Sequence, residues 1–133
     1  MANDLAKAEF WRAFILERSE YPAPVRLEAQ FEDAVFSDFC PCGCNSFSVS
    51  RPAGSTAPSL VSPSDRTERL VFEADFPILA GGSLEILLFA GADGRLCYVE
   101  IDCNANSDPV PDEIEVGSAC RTQAPGSPLL SDG

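Results

Sequence analysis

A chain of 133 residues with 45% hydrophobic content has room for one ordinary domain, which at this size buries about two thirds of its unfolded surface without needing bridges or metal. Its 21 acidic and 9 basic residues give a formal charge of -12, a field that repels nucleic-acid phosphates and anionic lipid and favours basic partners. With no histidine and no G-x-S-x-G, the usual general base and serine nucleophile are missing, and Gly81-Gly82-Ser83 precedes a strand rather than a helix, so it is no phosphate loop; an enzyme of familiar hydrolytic or transferase type is not expected.

The start, MANDLAKAEFWRAF, lacks the basic region and long apolar run of an export signal, and no window reaches the ~20 apolar residues that span a bilayer. A cytoplasmic protein with reduced thiols is expected, without membrane attachment. Asn3 or Asp4 caps a first helix to about Glu17 or Arg18, with Leu5, Ala8, Trp11, Phe14 and Ile15 on one face and Phe10 widening the stripe. Tyr21-Pro22-Ala23-Pro24 ends it. The next run predicts a short helix from about Pro24 to Phe31 and a strand from Ala34 to Phe39, the alternative being one helix to Asp38. The Pro and Gly of Cys40 to Asn45 turn that strand into a second, Ser46 to Ser50, with Phe47 and Val49 inward.

Residues 51–66, rich in Pro, Gly, Ser and Thr, read as a flexible surface loop. Arg69 to Phe76 alternates again, with Leu70, Phe72, Ala74 and Phe76 on one face and Val71, Glu73 and Asp75 on the other. The stretch Leu84 to Cys103 then makes a central hairpin about Asp93-Gly94, residues that tolerate positive φ. One of its faces holds Leu84, Ile86, Leu88, Cys97, Val99, Ile101 and Cys103; the other holds Glu85, Leu87, Phe89, Leu96, Tyr98, Glu100 and Asp102. A short edge strand or turn is expected near Ile114 to Val116 and a disordered tail over 124–133, leaving 1–123 as the single domain. The fold class is α+β: a mostly antiparallel sheet of about five strands with N-terminal helices packed on one face.

Two constellations carry chemistry. Cys40, Cys42 and Cys44 form a C-x-C-x-C cluster at a turn, where thiolates suit Zn or Cu(I) with a fourth ligand from Cys97, Cys103 or Cys120; packed, reduced thiols are the competing reading, and no cofactor is required. Glu73, Glu85, Phe89, Tyr98, Glu100 and Asp102 share one sheet face, acidic with an apolar and aromatic centre, a composition suited to a basic protein partner. A solvated sheet face is the alternative.

The sequence CPCGC followed by FSVS, and LEILLFAGADGRLCYVEID followed by a Pro/Asp segment, resembles small uncharacterised bacterial proteins with a Cys/Gly cluster and a central DG-x-L hairpin. The matching residues are Cys42, Gly43, Cys44, Asp93, Gly94, Leu96, Glu100, Pro111 and Asp112, within residues 24 to 115. The resemblance implies a hairpin at the Cys cluster and brings no assigned activity with it. Two functions follow as expectations: a small acidic interaction protein that neutralises a basic partner, as bacterial immunity proteins do, or a thiolate metal-binding protein.

Overall fold

A computed structural model describes residues 3–41, 44–105, 107–111, 113–123 and 128–132. Two helices, α1 (Leu5–Arg18) and α2 (Pro24–Glu32), precede six strands: β1 (Val35–Ser37), β2 (Phe47–Ser50), β3 (Arg69–Pro77), β4 (Ser83–Ala90), β5 (Leu96–Cys103) and β6 (Cys120–Gln123). They form one sheet in the order β1-β2-β5-β4-β3-β6, every neighbouring pair antiparallel. The α+β class and the N-terminal helices are as the sequence predicts, with six strands in place of about five. No helix among the described residues is long and apolar enough to cross a membrane.

Asp4 caps α1, its carboxylate accepting from the Lys7 amide at 3.1 Å, and so satisfies one of the orphan donors of the first turn. Ala8, Trp11 and Ile15 are buried, and Phe14 packs edge-on against Phe76 of β3 at 5.2 Å between ring centroids. Leu5 and Phe10, expected in the same stripe, stay 56% and 52% exposed, so the buried face of α1 is narrower than its apolar residues. α2 has no cap from its own N-cap residue, Ala23. The Asp132 carboxylate caps it from the far end of the chain, accepting from the Val25 and Arg26 amides at 2.9 Å each.

The core lies between the helices and one face of the sheet. Phe47 and Val49 of β2, Ala74 and Phe76 of β3, Leu84, Ile86 and Leu88 of β4, and Val99, Ile101 and Cys103 of β5 pack in one cluster with Trp11, Ile15, Leu27 and Phe31. Strict alternation breaks at two places. The register of β3 on β4 shifts between Leu70 and Phe72, so Val71 and Phe72 are both buried and Leu70 moves to the opposite face. The register of β4 on β5 shifts between Phe89 and Ala90. Leu96 is thereby fully buried and Cys97 is only half-buried, which reverses the faces predicted for these two; an extra residue in one strand rotates what precedes it.

The stretch 51–66 is more than a surface loop. Leu60 and Val61 are buried in the core, and both their amides donate to the carbonyl of Gly94 at the tip of the central hairpin. Gly94 has φ +81°, and a Cβ there would lie 2.1 Å from the Val61 carbonyl oxygen, so only glycine lets the loop cross so closely. Val61 also bridges Leu129, the Leu130 amide donates to the Leu60 carbonyl at 2.8 Å, and Arg26 holds the Ser131 and Ser59 carbonyls. Of the tail expected over 124–133, the described part, 128–132, therefore lies against the domain; 124–127 and 133 fall outside the described residues. Near Ile114 to Val116, as expected, a short pairing occurs, a single bridge from Val116 to Ile78.

Leu96 pairs with Ala90 of β4 on one side, but on the other the β2–β5 pairing has already ended and no strand lies beside it. Its amide donates to Gln30 Oε1 at 3.0 Å and its carbonyl accepts from Arg51 Nη1 at 2.9 Å. The buried Gln30 side chain also donates to the Pro58 carbonyl, and its own backbone carbonyl accepts from Arg51 Nη2. Buried backbone groups must be paired, and here two side chains replace a strand.

Leu60→Ala is expected to destabilise the fold as much as Ile101→Ala, by roughly 2–5 kcal/mol each, through lost burial and a residual cavity. Asp132→Ala, which removes the α2 cap, is expected to cost about 0.5–2 kcal/mol. Urea denaturation ranks the three; a silent Leu60→Ala would show that the loop is not part of the core.

Candidate functional site: the open acidic face of the sheet

The face opposite the helices follows from register. Cys120, Asp75, Glu85 and Asp102 stand side by side across β6, β3, β4 and β5; the next row is Thr122, Glu73, Leu87 and Glu100. A third row sets Leu70, Phe89, Tyr98, Ser48 and Ser37 across β3, β4, β5, β2 and β1. Directly opposed side chains lie ~4.5–5.5 Å apart at Cβ, and successive rows ~7 Å apart. All six residues expected on this surface, Glu73, Glu85, Phe89, Tyr98, Glu100 and Asp102, are on it. Asp75 and Leu87, noted for the same face, join them; Leu96 does not, because the bulge carries it into the core.

Five carboxylates thus share two adjacent rows. Arg121 is not among them: it pairs with Ala74, on the other face, and donates to the Glu20 carbonyl. No Lys or Arg stands on this face among the described strand residues. Glu73, Asp75, Glu85 and Glu100 are half-buried, and Asp102 is only 6% exposed. One oxygen of Asp75 is buried without a hydrogen-bond partner. Glu85 is anchored, accepting from Ser83 Oγ at 2.6 Å and from the Ala105 amide. Beside the carboxylates, the Phe89 and Tyr98 rings meet edge to face at 6.0 Å, and with Leu87 they form a half-buried apolar strip that no described element covers.

Like charges this close must be relieved by solvent, a counter-cation or a proton. A hydrogen bond to the Asp75 carboxyl, aided by burial and by the charges of Asp75, Glu85 and Asp102, raises Glu73 to about 7. Burial, then a hydrogen bond to Glu100 and its charge, raises Asp102 to about 7. Both groups hold protons at pH values where an ordinary carboxyl is ionised.

The cysteines of the turn before β2 are less accommodating to a metal than the spacing implies. Cys40 is disulfide-bonded, against the expectation of reduced thiols throughout, and a sulfur in a disulfide is not a thiolate ligand. Cys42 lies outside the described residues. Cys97, Cys103 and Cys120 carry free thiols, Cys103 buried and Cys120 exposed, and Cys44 is buried. Among the described residues no group of three or more Cys, Asp or Glu is placed to hold a metal ion. Burial, with the charges of Glu68 and Asp93, pushes the Cys97 thiol up to about 11, so it is protonated and a poor nucleophile at neutral pH.

Two of the clefts in the described surface are lined by charged side chains of both signs. One of about 260 Å³ is walled by Phe10, Trp11, Ala6 and Pro111 with Asp4, Lys7 and Asn45; its carboxylate, Asp4, is already the α1 cap. The other, about 350 Å³, is lined by Arg51, Arg95, Cys97 and Asp93. Both arginines there are braces, donating to the Leu96, Gln30 and Ser55 carbonyls, and Asp93 offsets their charge. Comparison with protein-family models, with curated proteins and with solved structures finds no match to this chain.

Because Glu73 and Asp102 titrate higher folded than unfolded, their contribution to stability is fully present below the ordinary carboxyl range and is lost as pH rises from about 4 through about 7. The Glu73→Gln/Asp102→Asn variant is expected to show a flatter stability–pH profile than the parent over that window and to be the more stable of the two above it. Identical slopes in urea titrations across the pH series would contradict the raised values.

Proposed function

We propose that this chain is a small non-enzymatic interaction module that docks a basic protein on the open acidic face of its sheet, neutralising that partner in the manner of an immunity protein. The observation that supports the reading is the coincidence of five carboxylates, no counter-cation among the described strand residues, and a half-buried Leu87–Phe89–Tyr98 strip on one surface. An apolar and aromatic centre with a charged surround is the composition of a docking surface. The net charge of -12 steers a basic protein toward the chain, and the local rows give it a place to seat. Lysine or arginine side chains of the partner would enter the carboxylate rows while its apolar residues cover the strip.

The test compares two double variants of equal net charge. Glu73→Lys/Glu100→Lys reverses charge on the face; Glu9→Lys/Glu17→Lys does so on the exposed side of α1. With each immobilised and challenged with host lysate, a basic protein is expected on the parent and on the α1 variant, lost from the face variant, and weakened as ionic strength passes about 0.1 M, where screening shortens to ~10 Å. Equal capture by both variants would remove the face from consideration.

A further inference from the structure

The crowding of the open face has a consequence for how anything docks there. Asp102 is flanked by Glu100 two residues back on its own strand and by Glu85 across the β4–β5 pair, and Glu85 is flanked in turn by Asp75 of β3. Glu73 stands beside Asp75 along β3, with Leu87 opposite. From β6 come only the Cys120 thiol and Thr122; from β5 and β2 come the Tyr98 phenol and Ser48. Of the three ways to relieve such a cluster, solvent is restricted by the near-complete burial of Asp102, and no cation of the described strands faces it. The proton remains.

We propose that docking on this face is proton-coupled: the free chain shares protons within the Glu73–Asp75 and Glu100–Asp102 pairs, and a cationic partner displaces them as it seats. The inference rests on the docking reading for its second half and on the geometry of the free chain for its first. The step is an acid dissociation. The carboxyl O–H bond breaks, the proton passes to buffer, and an ammonium or guanidinium group takes its place between the paired oxygens. The raised values of Glu73 and Asp102, both about 7, put the exchange in the neutral range, where the partner's lysines and arginines are fully charged and contribute no titration of their own. Affinity then rises with pH up to that range and collapses in mild acid, so a partner neutralised at neutral pH is set free on acidification.

Two measurements on the full chain decide the matter. In the first, the carboxyl carbons of Glu73 and Asp102 are followed by NMR through a pH titration of the free protein. In the second, a peptide amide of alternating Lys and Leu is titrated into the protein by calorimetry near pH 6.5 in two buffers of different ionisation enthalpy. Titration near neutrality is expected, with buffer-dependent heats that report proton release. Affinity should strengthen by up to about tenfold per pH unit for each proton released, below the free-state value. The Glu73→Gln/Asp102→Asn variant, which keeps the shape of the protonated pairs, should bind with an affinity that no longer follows pH. Ordinary titration near pH 4, or binding with buffer-independent heat, overturns the coupling and leaves the docking surface standing. Neutral titration with no peptide binding at any pH overturns the docking surface and the coupling with it.

Discussion

A sheet has two faces, and helices of 14 and 9 residues can cover only one of them. Side chains alternate along a strand, so β3, β4 and β5 each divide their residues between a dry layer under α1 and α2 and an uncovered layer on the far side. Everything large and aliphatic in the central strands goes to the dry layer, apart from Leu70 and Leu87. What is left outside is determined by the same alternation: carboxylates toward one end of the strands, rings toward the other. The acidic face is thus the complement of the core, held by the same register, and a slip of one residue would exchange the two.

That register is secured largely by groups outside the sheet. The Leu96 backbone is paired by Gln30 and Arg51 side chains, and the Gly94 carbonyl takes two amides of the loop that follows β2. Each contact joins parts of the chain far apart in sequence, so α2, the loop and the central hairpin support one another rather than standing independently. The buried Gln30 is the common member, meeting α2, the loop and β5 through its side chain and backbone. A buried polar side chain with all its partners satisfied specifies a particular arrangement more sharply than an apolar one of similar size.

The readable parts of the fold were those with local causes. Helical spacing and the Asp4 cap placed α1, two prolines marked the start of α2, and alternation with Asp93-Gly94 placed the central hairpin, so the acidic face could be listed residue by residue. The misplacements had non-local causes. The bulges at Val71 and at Leu96–Cys97 leave no mark in a pattern of apolar and polar residues, and they carried Leu96 from the predicted outer face into the core. β6 is Cys-Arg-Thr-Gln, exposed throughout, and owes its strand geometry to pairing with β3 rather than to its own pattern. Leu60-Val61, two apolar residues amid Pro and Ser, are too short a run to announce burial. The raised carboxyl values of the face depend on cross-strand neighbours and are invisible until register is known.

The Asp132 contact with the first turn of α2 also sets an order of events. The helix lies near the start of the chain, while its capping carboxylate is made 106 residues after Arg26. A ribosome adding roughly 5–20 residues per second therefore leaves α2 without its cap for several seconds, while its Pro24 start and its packing must suffice. The cap can form only after β6 has been made, so during synthesis it cannot nucleate α2 and can only latch a helix that other contacts have placed.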